Sequence, residues 1–187
     1  MFQVVFMVCF CLNLAYTISP CGTSCPTNTS AYYELAGYYW RDYFGVVPYD
    51  AFPGGQGESG HQTYIGQVYS TNYELLPGTI YNGCHQLRTS ARDKELIFEK
   101  NMKILATDHS AKLKWIPTKR DSHHLLTDCH LVVGGAEGGA TVNIGRINFN
   151  GQTIVGTTFP DKVPNNGLWI PGRNTSFDSY EILTYNC

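Results

Sequence analysis

The chain has 187 residues, with 13 Lys and Arg against 15 Asp and Glu and a net charge of −2. That length suits one medium domain or two small ones, and the even balance of charge leaves no basic stripe of the kind nucleic-acid binding needs. With 13 Tyr, 19 Gly and 9 Pro but only 15% charged residues, the composition excludes disorder and favours a β-rich, turn-rich fold over a helical bundle.

Residues 1–19, MFQVVFMVCFCLNLAYTIS, are almost wholly apolar up to Tyr16 and then turn small and polar. This is the pattern of a secretory leader with a cleavage zone between Ala15 and Ser19. An uncleaved anchor needs ~20 apolar residues, more than this run holds. Residues 20–37 follow as a segment rich in Cys, Pro and Thr. Of the seven cysteines, Cys9 and Cys11 fall in the leader. The remainder, Cys21, Cys25, Cys84, Cys129 and Cys187, are disulfide candidates in an oxidising compartment, and their odd number leaves one free or bridging two chains. Spacing leaves the pairing open. Cys187, as the last residue, is expected to be accessible and able to link a homodimer. The Cys21-x3-Cys25 spacing has no second ligand pair to match, so no metal is expected there. Asn28-Thr29-Ser30 and Asn174-Thr175-Ser176 are glycosylation sequons for a chain that enters the secretory path.

Tyr38 to Tyr43 open the first strand. Gly45 to Pro48 read as a strand end or turn, because proline has no donor for a ladder. Ala51-Phe52-Pro53 lead into Gly54-Gly55, and Gln56 to Gln62 read as a polar loop punctuated by glycine. Thr63 to Tyr69 read as a strand in which Gly66 marks a bulge or a close backbone contact. Leu75 to Tyr81 continue extended past a Pro77-Gly78 corner. The local propensity of Glu95 to Lys100 permits a helix, whereas Met102 to Ala106 read as strand by comparison with Phe177 to Tyr185. Ala111, Leu113 and Trp115 alternate with Lys112 and Lys114, the period of a half-buried strand. Thr118 to Asp128 form a variable loop, and His130 to Val133 run into Gly134-Gly135. Asn150-Gly151 signals a hairpin, since both residues tolerate positive φ. Ile154 to Phe159 make the next strand, Pro160 to Gly172 a loop carrying Trp169, and Tyr180 to Tyr185 the closing strand.

These elements occur twice. Gly54-Gly55 followed by Tyr64-Ile65-Gly66 answers to Gly134-Gly135 followed by Asn143-Ile144-Gly145. Downstream, Gly78-Thr79 answers to Gly156-Thr157, and Ile104-Leu105 to Ile182-Leu183, at one constant offset. That constancy across unrelated residue types is the mark of a tandem repeat, with residues 38–108 as the first copy and 109–187 as the second. The order of Trp40, Val47-Pro48, Ala51, Gly54-Gly55, Tyr64-Ile65-Gly66 and Pro77-Gly78 resembles the DM-nine repeat family, whose modules also occur in natterin-like proteins. Trp115, Gly134-Gly135, Ile144-Gly145-Arg146 and Tyr180-Glu181-Ile182-Leu183 repeat the pattern. The resemblance covers about Tyr38 to Tyr185. It implies an all-β fold of two tandem antiparallel β repeats related by approximate twofold symmetry. It also implies a carbohydrate-binding recognition protein, with ligands of mannose type.

In lectin-like members an acidic residue after the glycine pair and the lysine of Pro-Gly-Lys touch the sugar, so that charge-assisted bonds meet its hydroxyls. Here the acidic position falls at Gly57 or Glu58 and at Ala136 or Glu137, and the lysine is replaced by Thr79 and Thr157. The expected ligand-binding residues are therefore Gln56, Glu58, Thr79, Glu137 and Thr157. The glycine pairs lack the Gly-Lys-Ser/Thr of a phosphate loop and read as turns and close sheet contacts. Asp121 to His124 and Asp128 to His130 read as a solvated loop plus a disulfide cysteine rather than a metal site. Tyr38, Tyr39, Trp40, Tyr43, Tyr64 and Tyr69 read as core before sugar-stacking platforms. No nucleophile elbow is present, and neither catalysis nor a cofactor is expected. The expectation is a secreted, extracellular protein of innate immunity or of a secretion that binds surface glycans. The alternatives are a structural module that binds an extracellular protein, or a toxin-associated component. Membrane insertion and nucleic-acid binding are not expected.

Overall fold

Alternating β-branched and aromatic residues give strands through more than half of the chain described here, residues 37–159 and 166–187 of a computed structural model. The leader, Cys21, Cys25, Asn28 and nearly all of segment 20–37 lie outside the described residues. The first repeat contributes β1 (Tyr39–Tyr43), β2 (Pro53–Gln56), β3 (Gln62–Ser70), β4 (Glu74–Tyr81), β5 (Leu87–Ala91), β6 (Lys94–Phe98) and β7 (Met102–Ala106). The second contributes β8 (Leu113–Lys119), β9 (His130–Leu131), β10 (Val133–Glu137), β11 (Ala140–Phe149), β12 (Gln152–Phe159), β13 (Gly167–Trp169) and β14 (Ser179–Tyr185). All pair antiparallel within one 14-stranded sheet. The all-β antiparallel fold expected from the sequence is the fold observed.

Part of the pairing recurs in the two repeats. β7 lies between β1 and β3, and β14 between β8 and β11. Gly66 of β3 faces Gly78 of β4, as Gly145 of β11 faces Gly156 of β12. Each glycine pair carries the same register shift, between Pro53 and Gly55 in β2 and between Val133 and Gly135 in β10.

The repeats are joined by an exchange. A Cβ on Gly54 would come within 2.9 Å of Val155, and one on Gly55 would collide with Thr153, both on β12 of the second repeat. In return, a Cβ on Gly134 would come within 2.8 Å of Pro77, and one on Gly135 would collide with the carbonyl of Leu75, both on β4 of the first. The side chains following Ile-Gly in each repeat lock this contact. Gln67 donates from Nε2 to the carbonyl of Gly134 at 2.7 Å, and Arg146 donates to the carbonyl of Gly54 at 3.0 Å. Arg146 also pairs with Glu181 at 2.7 Å and lies 4.3 Å from the ring of Trp115. The central core is accordingly shared, with Phe52, Ile65 and Leu105 packed on Val132, Ile144, Val155 and Leu183.

Several local readings are corrected. Pro77-Gly78 is not a corner but the middle of β4. The missing N–H of Pro77 is tolerated where the neighbour of β4 changes from β10, at Leu75, to β5, at Gly78. Glu95 to Lys100 is not helical, since residues through Phe98 form β6, paired along its length with β5. Trp169 is a strand residue, buried with Val142 and Phe159 rather than carried on a loop. Cys187 does not link two chains. It bonds to Cys129, tying the end of the described chain to the segment before β9, and the free cysteine among the described residues is the exposed Cys84.

Candidate functional site

The loop after the first glycine pair is shorter than its sequence implies. β2 runs to Gln56, and Gly57 closes a tight turn by donating its N–H to the carbonyl of His61 at 2.9 Å. Glu58 and Ser59 project from that turn into an open cleft of about 380 Å³. Four elements wall it. β3 supplies Gln62 and Thr63, the end of β4 supplies Tyr81, β5 supplies Arg88, and Gln152 reaches in from the start of β12. The site is thus built across the seam between repeats.

Its chemistry is mixed and close to neutral. Glu58 is exposed, and Arg88 stands 3.6 Å from Glu95. Burial raises the phenol of Tyr81 above its ordinary value, Arg88 works against that shift, and Glu58 adds to it. The carboxylate and the guanidinium therefore both act on the same ring. Gln62 is anchored by donating to the carbonyl of Gly55 at 2.6 Å, and Gln86 by donating to Glu99 at 2.9 Å, each leaving its amide oxygen to accept. Thr63 lies on the floor, and its buried hydroxyl has no hydrogen-bond partner.

The second repeat does not repeat the cleft. Thr63 and Tyr81 answer by position to Val142 and Phe159, which are buried there with Trp169 and packed on Ala140. Glu137, at the end of β10, is only 8% exposed. Burial pushes its carboxyl up to about 7, with Arg92 opposing the shift and Glu74 adding to it. Arg92 is 3.9 Å from one carboxyl oxygen, and the other has no hydrogen-bond partner.

Of the residues expected to bind ligand, Glu58 alone lines the cleft. Gln56 is exposed at the end of β2 but does not line it. Thr79 and Thr157 are corrected outright, since both are fully buried. The Thr79 hydroxyl is spent on the seam, accepting from the N–H of Val155 at 3.0 Å and donating to its carbonyl at 3.1 Å. Thr157 has no such partner. The position answering to Val155 is Pro77, which has no N–H to give.

His123 is likewise not part of a solvated loop. It is buried and hydrogen-bonded to Tyr180 at 2.6 Å. No group of three or more His, Cys, Asp or Glu positioned for a metal occurs among the described residues. Asn174 is exposed, as a glycosylation acceptor must be. Sequence reasoning missed Thr63, Tyr81, Arg88 and Gln152. The signal was in the repeat comparison, where Thr63 and Tyr81 are polar partners of the apolar Val142 and Phe159.

A family model for the DM9 repeat matches residues 58–171, more than half of the chain. No curated protein matches it.

Proposed function

The chain belongs to the DM9 repeat family, a lectin-like repeat associated with carbohydrate binding, and from that premise we propose that it is a secreted carbohydrate-recognition protein whose site is the cleft of the first repeat. The observation that carries this reading is the cleft's lining. One carboxylate, one guanidinium and anchored amides surround a partly exposed aromatic ring. A sugar offers the complement, hydroxyls that donate and accept at once and a ring face partly apolar. Glu58 accepts from hydroxyls, Arg88 donates to them, and Tyr81 supplies the face. The leader and the cysteines support an extracellular setting, and recognition of surface glycans of mannose type in innate immunity or in a secretion is the role this combination fits.

Glycosylated mature protein applied to a glycan array is expected to give carbohydrate-dependent signals. Glu58→Ala is expected to lower them at least tenfold while Gln56→Ala leaves them unchanged. Silence across every glycan from folded protein overturns the reading, and signals untouched by Glu58→Ala overturn the placement of the site.

The exposed loop between β1 and β2 favours a second reading, a protein-interaction module. Phe44, Val46 and Tyr49 stand out from it in solvent. Asp50 fixes its base, accepting from Tyr39 at 2.5 Å and from Arg41 at 2.8 Å. Burial raises the Asp50 carboxyl, but the bonds from Tyr39 and Arg41 outweigh it and hold the group below its ordinary value. Capture of one protein from extracellular fluid, resistant to free sugars and lost in Tyr49→Ser, would support this reading over the first.

A further inference from the structure

A second groove, of about 850 Å³, adjoins the cleft and shares one wall residue with it, Gln86. It runs beside the end of β3 and the turn between β6 and β7. Tyr69 and Ile97 supply its apolar surface, and they are 62% and 50% exposed. Ser70, Thr71, Glu99, Lys100 and Asn101 supply hydrogen-bonding groups around them. Gln86 marks the junction through its bond to Glu99. An exposed aromatic ring rimmed by small polar side chains has the same character as the cleft itself, on a larger scale.

We propose that the cleft and this groove are consecutive subsites of one binding surface, which takes a neutral oligosaccharide chain of three or more residues rather than a single terminal sugar. The proposal rests on the carbohydrate reading of the cleft and extends it. Two observations commit it to this occupant. First, the groove and the cleft share Gln86 as a common wall, so a chain held at Glu58 and Tyr81 that extends past Gln86 enters the groove. Second, the charges along the path cancel. Glu58 and Glu99 are matched by Arg88 and Lys100, which offers no net attraction to a polyanion such as a sulfated glycan or a nucleic acid. A neutral chain meets hydroxyl partners along the whole length and an aromatic face in each subsite. Stacking on Tyr69 is available only to sugar units that extend beyond the cleft.

The test applies the full mature chain to an array of neutral and acidic glycans of one to six residues, alongside Tyr69→Ala, Ile97→Ser and Glu58→Ala, with thermal melts to establish folding. Neutral glycans of three or more residues are expected to give signals at least tenfold above mono- and disaccharides. Tyr69→Ala and Ile97→Ser, both at exposed positions, are expected to remove most of that gain while sparing short glycans. Glu58→Ala is expected to lower every length. Signals confined to mono- and disaccharides, a preference for acidic glycans, or long-glycan signals unchanged in both Tyr69→Ala and Ile97→Ser overturn the extended groove and leave the cleft standing. Silence across the array overturns the carbohydrate reading itself, and the groove with it.

Discussion

Glu137 holds a carboxyl out of water with Arg92 at 3.9 Å as its counter-charge and a second carboxyl, Glu74, adding to the repulsion. Its ordinary value of 4.5 is raised to about 7 in the folded chain. Between those values the folded protein keeps a proton that the unfolded chain has released. The proton-binding difference therefore makes stability fall as pH rises from about 4.5 to 7, by on the order of 3 kcal/mol across the window, with nothing further lost above it from this group. Glu137→Gln should flatten that stretch of the profile and leave the protein more stable than the native chain at pH 8. Urea melts at pH 5 and pH 8 read the difference, and equal slopes for the two proteins would sink the assignment. The sequence put Glu58 and Glu137 in the same class, an acid after a glycine pair. What separates them is one residue of turn length. The first turn carries Glu58 at its apex, whereas Glu137 is the last residue of β10 and faces inward. Thr63 gave no signal at all by itself, because a threonine in a strand is as ordinary buried as exposed.

At the scale of the element, the glycine pairs of β2 and β10 are explained by backbone approach between repeats. Gly135→Ala drives a Cβ into the carbonyl of Leu75, and overpacking against backbone should cost on the order of 3 kcal/mol. Gly138→Ala, three residues on, meets nothing within 4 Å and suffers only its φ of +59°, a cost of about 1 kcal/mol. Denaturant melts of the two variants should differ accordingly, and a smaller loss for Gly135→Ala would count against the seam as drawn. Strand β7 was legible because its counterpart sequence in β14 is plainly extended. The hairpin at Asn150-Gly151 was legible because its signal is local, and both residues do take positive φ, +52° and +78°. Pro77-Gly78 was misread for the same reason. Local chemistry says turn, while the reason for a straight strand lies in β5 and β10, far along the chain.

At the scale of the molecule, the constant offset disclosed two copies but not that they are incomplete apart. One sheet runs through both, one core is shared, and one copy keeps an open cleft while the other fills it with Phe159 and Trp169. The exposed thiol of Cys84 lies on the rim of that cleft, so an occupying glycan should slow its alkylation severalfold. An unchanged rate on saturation would place the ligand elsewhere. The exchange of glycine pairs also makes each half a ready-made mate for a copy of itself. Produced singly, either half should associate with its own kind, since the socket it offers is shaped for the plug it carries. The two self-pairs would not be equals. In a pair of first halves Thr79 would face Pro77 and find no N–H, whereas in a pair of second halves Thr157, unbonded in the intact chain, would face Val155 and gain the bonds that Thr79 makes here. Sedimentation of the separate halves should therefore find the tighter dimer in the second.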